Sequence, residues 1–313
     1  MFDISNIARS QLSGNLELLA HQVVEGFIIG LHKSPFHGFS VEFSEHRLYN
    51  PGEATKDIDW KVYARTDKLF VKRFEEETNL RCQIVIDASS SMYFPKDGKD
   101  DLVAMKFANK LRFSAVGAAA LMNLLRKQRD AFGLSLFSDE LEQHTHCKSS
   151  TTHYRLLLGH LDNLVENPKD GKISHLAKNL HLVAEGVHRR SLVCIFTDMF
   201  THVEDNEAIY AALQHLKHNR HEVILFNVID KAKELDFEYE NRPYIFVDME
   251  SGEKVRLQSN QVKDLYRTKI TEQTERLKMT CLQYGIDFIE ADINQGFDQI
   301  LMPYLLKRSK MRV

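Results

Sequence analysis

The chain has 313 residues, of which 43% are hydrophobic and 27% are charged, and its formal net charge is −3. This is the composition of a globular protein with a sizeable core, and it offers nucleic acid no basic surface to bind. No apolar run is long enough to cross a bilayer, so we expect no integral membrane segment. The first residues lack the basic start and apolar core of a signal peptide, and the four cysteines lie far apart. Together these features predict a cytoplasmic protein with reduced thiols.

The predicted elements begin with a helix in the first twenty or so residues and continue with two strands and a turn within residues 42–77. From Arg81 onward, strand-like and helix-like segments alternate. The strand "CQIVIDA" comes first, a long helix follows over about residues 101–128, and a hairpin is predicted around Ser251 and Gly252. Strands that alternate with helices predict an α/β fold, with a mostly parallel sheet covered by helices on both faces.

This order of elements predicts three segments along the chain. Residues 1–79 form a helix and a small β-subdomain. Residues 80–230 form the core of the α/β domain and contain its candidate site. Residues 231–313 add the hairpin and then the last strand and helices, which complete the same domain.

Two of the predicted strands end in a carboxylate. Asp87 ends the apolar run of the first strand, and Asp198 follows Thr197 after a later one. Ligands bind at the carboxyl ends of strands in such sheets, so we expect the two carboxylates to share a site. Ser89 and Ser91 complete a D-x-S-x-S turn, and such oxygen ligands suit Mg²⁺, with Mn²⁺ or Ca²⁺ as alternatives. The other interpretation is an ordinary serine-rich turn that caps the long helix.

The D-x-S-x-S turn resembles the metal-ion-dependent adhesion site of von Willebrand factor A-type domains. That family adds a Thr from a middle loop and an Asp from a T-D-G-like turn, where this chain has Met199 in place of the glycine. Ser174 is our candidate for the middle-loop ligand, with Thr151 and Thr152 as fallbacks. The resemblance implies a three-layer α/β/α von Willebrand A-like (Rossmann-like) sheet. It also implies a metal site made of Asp87, Ser89, Ser91, Ser174 and Asp198.

A second stretch, residues 42–77, holds the only tryptophan, Trp60, among many charged residues. It resembles the bacterial domain-of-unknown-function family fifty-eight. Members of that family carry R-x-Y-x-P-G-[DE], x-I-D-W-x-x-x-A-R and F-x-x-E before a von Willebrand A-like domain. The matching residues that we expect to be structural or to bind a partner are Arg47, Tyr49, Pro51, Gly52, Glu53, Asp59, Trp60, Arg65 and Glu77. A buried salt-bridge cluster that holds Trp60 and a binding surface are both open interpretations of this stretch.

The family that the sequence resembles has no agreed biochemical activity, and we expect a function without enzymatic activity. Members of the family resemble companions of AAA+ ATPases of the MoxR type, in chaperone-like or complex-maturation machinery. The expected partner is therefore such an ATPase, which would dock an acidic side chain onto the Mg²⁺ of the adhesion site.

Two alternatives place other chemistry at the same strand ends. One is a metal-dependent hydrolase, in which Asp87 and Asp198 hold the metal and His175 or His153 acts as the base. The sequence has no Walker A loop, no H-E-x-x-H and no G-x-S-x-G motif to support it. The other alternative is a scaffold that binds no metal, which the serine in place of the middle-loop threonine favours.

Overall fold

The structure is a computed structural model, and it places two compact units along the chain. One unit is Ile28–Asn79, and the other consists of Met1–Phe27 and Leu80–Val313. The structure describes residues 16–33, 46–48, 63–65, 67–72, 80–96, 98–100, 107–167, 171–199 and 206–311.

Helix α1 (Leu16–Lys33) contributes residues to both units. In the smaller unit, strand β1 (His46–Leu48) pairs with strand β2 (Phe70–Lys72) in an antiparallel ladder.

The larger unit is built on a six-stranded sheet. In chain order its strands are β3 (Arg81–Asp87), β4 (Ala131–Phe137), β5 (Leu141–His144), β6 (Leu192–Thr197), β7 (Glu222–Ile229) and β10 (Asp287–Asp292). Their order across the sheet is β10-β7-β6-β3-β4-β5, and only β5 runs antiparallel to its neighbour. The central strands are buried along nearly their whole length, as expected of parallel strands covered on both faces. A separate hairpin is formed by β8 (Pro243–Val247) and β9 (Lys254–Gln258), as the sequence predicted.

Within the described residues, six further α-helices surround this sheet, and a short π-helix spans Lys231–Leu235. The six α-helices are α2 (Lys110–Lys127), α3 (Thr151–Glu166), α4 (Leu176–Gly186), α5 (Asn206–His218), α6 (Ser259–Gln283) and α7 (Asp298–Met311). On one face, residues of α4, α5 and α6 share a buried cluster with Val85, Val193 and Ile195 of the sheet. On the other face, α2 packs against the sheet and against α7, where Phe113 stacks on Phe297 with ring centroids 4.8 Å apart. The predicted three-layer α/β/α arrangement is therefore confirmed.

The long helix begins later than predicted. Helix α2 starts at Lys110, because Asn109 has an extended backbone and its side chain accepts a hydrogen bond from the Arg112 amide at 2.8 Å. Residues 107–109 are therefore not helical, and residues 101–106 lie outside the described part of the chain. The interpretation of the serine turn as the cap of this helix is wrong, because Asn109 caps it. Residues Ser90–Tyr93 form a separate 3₁₀ turn.

The order of the strands creates a crevice at one edge of the sheet. From β3, the chain adds β4 and then β5 on one side. It then returns to β6, on the other side of β3, and adds β7 and β10 outward in the opposite direction. The chain therefore leaves the carboxyl ends of β3 and β6 toward opposite faces, which opens a crevice of the kind that binds ligands in such sheets. Asp87 is the last residue of β3 and Thr197 the last of β6. In the described ranges, no helix is both long and apolar enough to cross a membrane.

Candidate functional site

The turn after β3 folds back onto the carboxylate that ends the strand. Asp87 is 1% exposed, and its Oδ1 accepts a hydrogen bond from the Ser89 amide at 2.9 Å, which closes the turn. The hydroxyls of Ser89 and Ser91 lie 3.0 Å apart. Ser90 points elsewhere, and its hydroxyl accepts a hydrogen bond from the Lys172 amide at 2.8 Å. The turn therefore brings the alternate residues together and uses the intervening serine to hold the middle loop.

Two hydroxyls from distant segments converge on the other oxygen of Asp87. The Ser174 hydroxyl donates to Oδ2 at 2.9 Å, and the Thr197 hydroxyl donates to the same atom at 3.0 Å. Ser174 is thus the middle-loop residue at the site, whereas Thr151 and Thr152 are exposed at the start of α3. Thr197 was not among the predicted ligands, although its position as the last residue of β6 could have suggested it.

The second predicted carboxylate, Asp198, is paired with a buried lysine. Lys110, the first residue of α2, places its Nζ 2.8 Å from Oδ2 of Asp198 and 2.7 Å from Oε1 of Glu234. Burial opposes the charge on Lys110, but the carboxylates of Asp198 and Glu234 outweigh this effect and raise its pKa. Lys110 and Glu234 were both missed by the sequence analysis. Asp198 therefore already has a cationic partner within the protein.

The environment of Asp87 favours its protonated form. Burial, followed by the negative charge of Asp198, raises the pKa of Asp87 from 3.8 to about 6, and hydrogen bonds from Ser89 and Ser174 oppose only part of this rise. Holding this carboxylate ionised at neutral pH consequently costs free energy. A cation bound at Asp87 would offset that cost.

A third carboxylate reaches the site from the β8–β9 hairpin. Glu250 lies in the turn of the hairpin, and its Oε2 accepts a hydrogen bond from the Ser174 amide at 3.1 Å. Burial raises the pKa of Glu250, and the charge of Asp198 adds to the rise. The sequence analysis did not place Glu250 here, although it predicted the hairpin that carries it.

The donor set consists of carboxylates and hydroxyls, which are ligands for hard cations such as Mg²⁺. Within the described residues, no group of three or more His, Cys, Asp or Glu side chains is arranged to hold a metal ion. A cation at this site would therefore depend on Asp87, on the hydroxyls of Ser89, Ser91 and Ser174, and on Asp198, which it would share with Lys110. The buried, electrostatically strained carboxylate of Asp87 fits that role.

Residues 45–277 match the family described as "Protein of unknown function DUF58". The chain belongs to the DUF58 family. This confirms the family membership predicted from the sequence.

Proteins similar to this DUF58 chain include uncharacterized proteins of Mycobacterium bovis and Mycobacterium tuberculosis. Each is 24% identical over 215 residues, which is 69% of this chain. The match spans 63% of the length of these relatives. Similar solved structures include BatB from Bacteroides thetaiotaomicron, with 15% identity and a TM-score of 0.45 over 74% of this chain and 98% of that one. The SpRpn10 VWA domain has 10% identity and a TM-score of 0.36 over 71% of this chain and 93% of that one.

The predicted DUF58 signature residues lie mostly outside the described part of the chain. Arg47 falls in strand β1, and Arg65 is exposed in a helical turn at residues 63–65. The signature residues outside the described ranges are Tyr49, Pro51, Gly52, Glu53, Asp59, Trp60 and Glu77.

The two histidines considered as catalytic bases differ in position. His153 Nε2 lies 3.0 Å from the carbonyl oxygen of Phe132, which pairs with Cys82 near the start of β3. Five residues of strand separate that point from Asp87, or roughly 16 Å, so His153 does not reach the site. His175 follows Ser174 and is exposed. Only His175 is therefore placed near the strand-end carboxylates.

Proposed function

We propose that this DUF58 protein is a non-enzymatic, metal-ion-dependent protein-interaction module. Mg²⁺ would be held by Asp87, Ser89, Ser91, Ser174 and Asp198. The main support is the convergence on Asp87. The hydroxyls of Ser174 and Thr197, which are distant from Asp87 in the sequence, both donate to its Oδ2. A carboxylate so buried and so close to a second carboxylate is otherwise costly to keep ionised.

The proposed mechanism depends on an incomplete set of protein ligands. Mg²⁺ prefers about six oxygen ligands and is usually bound by one or two carboxylates together with water or substrate oxygens. An acidic side chain of a protein partner would take one of the remaining positions. Binding of the partner would then require the cation, and the cation would bind more tightly when the partner is present.

A cytoplasmic AAA+ ATPase of the MoxR type is the partner that we propose, within chaperone-like or complex-maturation activity. This choice rests on the family resemblance of the sequence. Such an ATPase should bind the immobilised protein in Mg²⁺ and be released by a chelator.

A second candidate function is a scaffold that binds no metal. The observation that favours it is the buried ion pair between Lys110 and Asp198, at 2.8 Å. Here the ammonium would supply the positive charge that a divalent cation supplies in the first proposal. The two candidates make opposite predictions about divalent cation binding.

The test is to measure the binding of Mg²⁺ and Mn²⁺ to metal-stripped protein by two methods, calorimetric titration and equilibrium dialysis. We expect saturable binding by the wild type and loss of binding in Asp87→Asn. A matched control is Asp292→Asn, because Asp292 is also a buried carboxylate at the end of a parallel strand, at the edge of the sheet away from β3. The control should bind as the wild type does. Absence of binding to the wild type by both methods would reject the metal-dependent module and favour the scaffold.

A further inference from the structure

The turn of the β8–β9 hairpin is shaped by its own side chains. The Asp248 carboxylate accepts hydrogen bonds from the amides of Glu250 and Ser251, at 2.8 and 3.0 Å. Gly252 has φ +76°, and its amide donates to the Asp248 carbonyl at 2.9 Å. These bonds define the direction in which Glu250 leaves the hairpin. That direction is toward the strand-end site.

Glu250 is held by the same loop that completes the site. Its Oε2 accepts from the amide of Ser174, while the hydroxyl of Ser174 donates to Asp87. The Ser91 hydroxyl also faces Glu250 and lowers its pKa. One glutamate therefore lies against two of the residues proposed to bind the cation.

The second oxygen of Glu250 is the unexplained feature. Oε1 is buried; the Ser91 hydroxyl acts on this carboxylate, but no described residue donates a hydrogen bond of ordinary geometry to Oε1. Buried polar atoms are nearly always paired, and an unpaired carboxylate oxygen beside Asp198 is especially costly. A cation in the site would give this oxygen a partner.

The hairpin lies outside the six-stranded sheet and is attached to the rest of the larger unit through side chains. Its two strands form a sheet of their own, and Ile245 and Val247 are 63% and 49% exposed. Close to the turn end of β8, Phe246 packs against Phe237 and Tyr239. Because, among the described residues, the hairpin shares no strand pair with the six-stranded sheet, its turn can shift without breaking the pairing of that sheet.

We propose that Glu250 is a built-in occupant of the position that an acidic partner would take. In the resting protein its carboxylate is a ligand of the cation, and a partner must displace the hairpin turn in order to dock. This inference rests on the proposed function, because it needs a cation at the site. It adds that Glu250 and the acidic side chain of the partner compete for the same position on the cation.

The test uses Mn²⁺ as the probe cation and acetate as the probe carboxylate. Glu250→Gln removes the charge while nearly preserving the size of the side chain. We expect the Mn²⁺ affinity to fall by at least roughly tenfold, because loss of a group that merely supports a metal ligand already costs about that much. Solvent proton relaxation should report an additional water on Mn²⁺, and acetate should displace that water. Wild-type protein should respond little to acetate, because Glu250 already occupies the position.

Glu253→Gln is the matched control, because Glu253 lies in the same turn and is exposed. It should behave as the wild type does. Glu250→Asp is a second variant that keeps the charge but shortens the reach, and it should resemble Glu250→Gln. Unchanged Mn²⁺ affinity, hydration and acetate response in both Glu250 variants would overturn the inference while leaving the proposed function intact. Failure of the wild type to bind Mn²⁺ would overturn both.

Discussion

Replacing Asp87 with asparagine should stabilise the protein near neutral pH when divalent cations are removed, even though it destroys the proposed site. The pKa of Asp87 is raised from 3.8 to about 6 by burial and by the charge of Asp198. The folded protein therefore holds the proton of Asp87 more tightly than the unfolded chain does. The contribution of Asp87 to stability must then fall as the pH rises from about 4 to about 6, and it stays low above that range.

The size of the effect follows from the pKa shift. A difference of about two pKa units corresponds to roughly 3 kcal/mol, the cost of ionising Asp87 in the folded protein. Asparagine has no charge and keeps Oδ1 as the acceptor for the Ser89 amide. Its amide nitrogen would face the hydroxyls of Ser174 and Thr197, which are able to accept hydrogen bonds. We therefore expect Asp87→Asn to increase the free energy of unfolding by up to about 3 kcal/mol near neutral pH.

The measurement is urea denaturation of both proteins in chelator at a series of pH values from acidic to neutral, with unfolding detected by circular dichroism. The difference between the two proteins reports Asp87 together with its interaction with the charge of Asp198, because the more distant carboxylates titrate alike in both. That difference should shrink toward pH 4. Added Mg²⁺ should stabilise only the wild type. A variant that is less stable than the wild type near neutral pH, with no dependence on pH, would refute the reasoning.

Asp139→Asn is a control with the opposite sign. The hydrogen bond from Lys172 lowers the pKa of Asp139 to about 2, so its charged form is the favoured one in the folded protein. Any contribution of Asp139 is present above about pH 4 and is lost as the pH falls toward 2. The variant should therefore never be more stable than the wild type at neutral pH.

Two further predictions concern the buried lysine of the site and the packing of the sheet away from it. Lys110→Met leaves Asp198 and Glu234 without the ammonium that they share. The free energy of unfolding in chelator should therefore fall by about 3–5 kcal/mol, and Mg²⁺ should restore part of it. Unchanged urea midpoints would contradict this prediction. Gly133→Ala should cost about 1–3 kcal/mol, because an added Cβ would lie 2.5 Å from both a side-chain amide oxygen and a backbone carbonyl oxygen. Gly159→Ala is its control, with nothing within 4 Å, and should be neutral or stabilising in the same thermal or urea melts.

The sheet was predictable because its central strands are covered on both faces. The segments that became β3, β6 and β7 are nearly continuous apolar runs, and such runs between helix-like segments indicate a parallel sheet. The same regularity placed Asp87 and Asp198 correctly, since the end of an apolar run is visible in the sequence. The start of α2 was harder to predict, because apolar residues continue upstream of Asn109 and hide the cap.

The charge partners of the site could not be predicted in this way. Lys110 and Asp198 are 88 residues apart, Lys110 and Glu234 are 124 apart, and Ser174 and Glu250 are 76 apart. Neither hydrophobic periodicity nor local motifs indicate which charged side chain of a segment distant in the sequence will be buried at the site. Lys110 in particular looks like a surface lysine when the long helix is drawn from residue 101. Its burial is evident only once the helix is seen to begin at Lys110.

The balance of charge links the hairpin to the cation. Asp87, Asp198, Glu234 and Glu250 supply four carboxyl groups near one edge of the sheet, and Lys110 is the only ammonium that the structure pairs with any of them within its described residues. Burial makes like charges costly, so these groups must take up protons, bind a cation or move apart. Glu250 is the one of the four carried by a hairpin outside the main sheet, and it is therefore the group most able to move. If the proposals hold, Glu250 and the partner's carboxylate would compete for one position on the cation, and any effect of the partner on cation affinity would be matched by an equal effect of the cation on partner affinity.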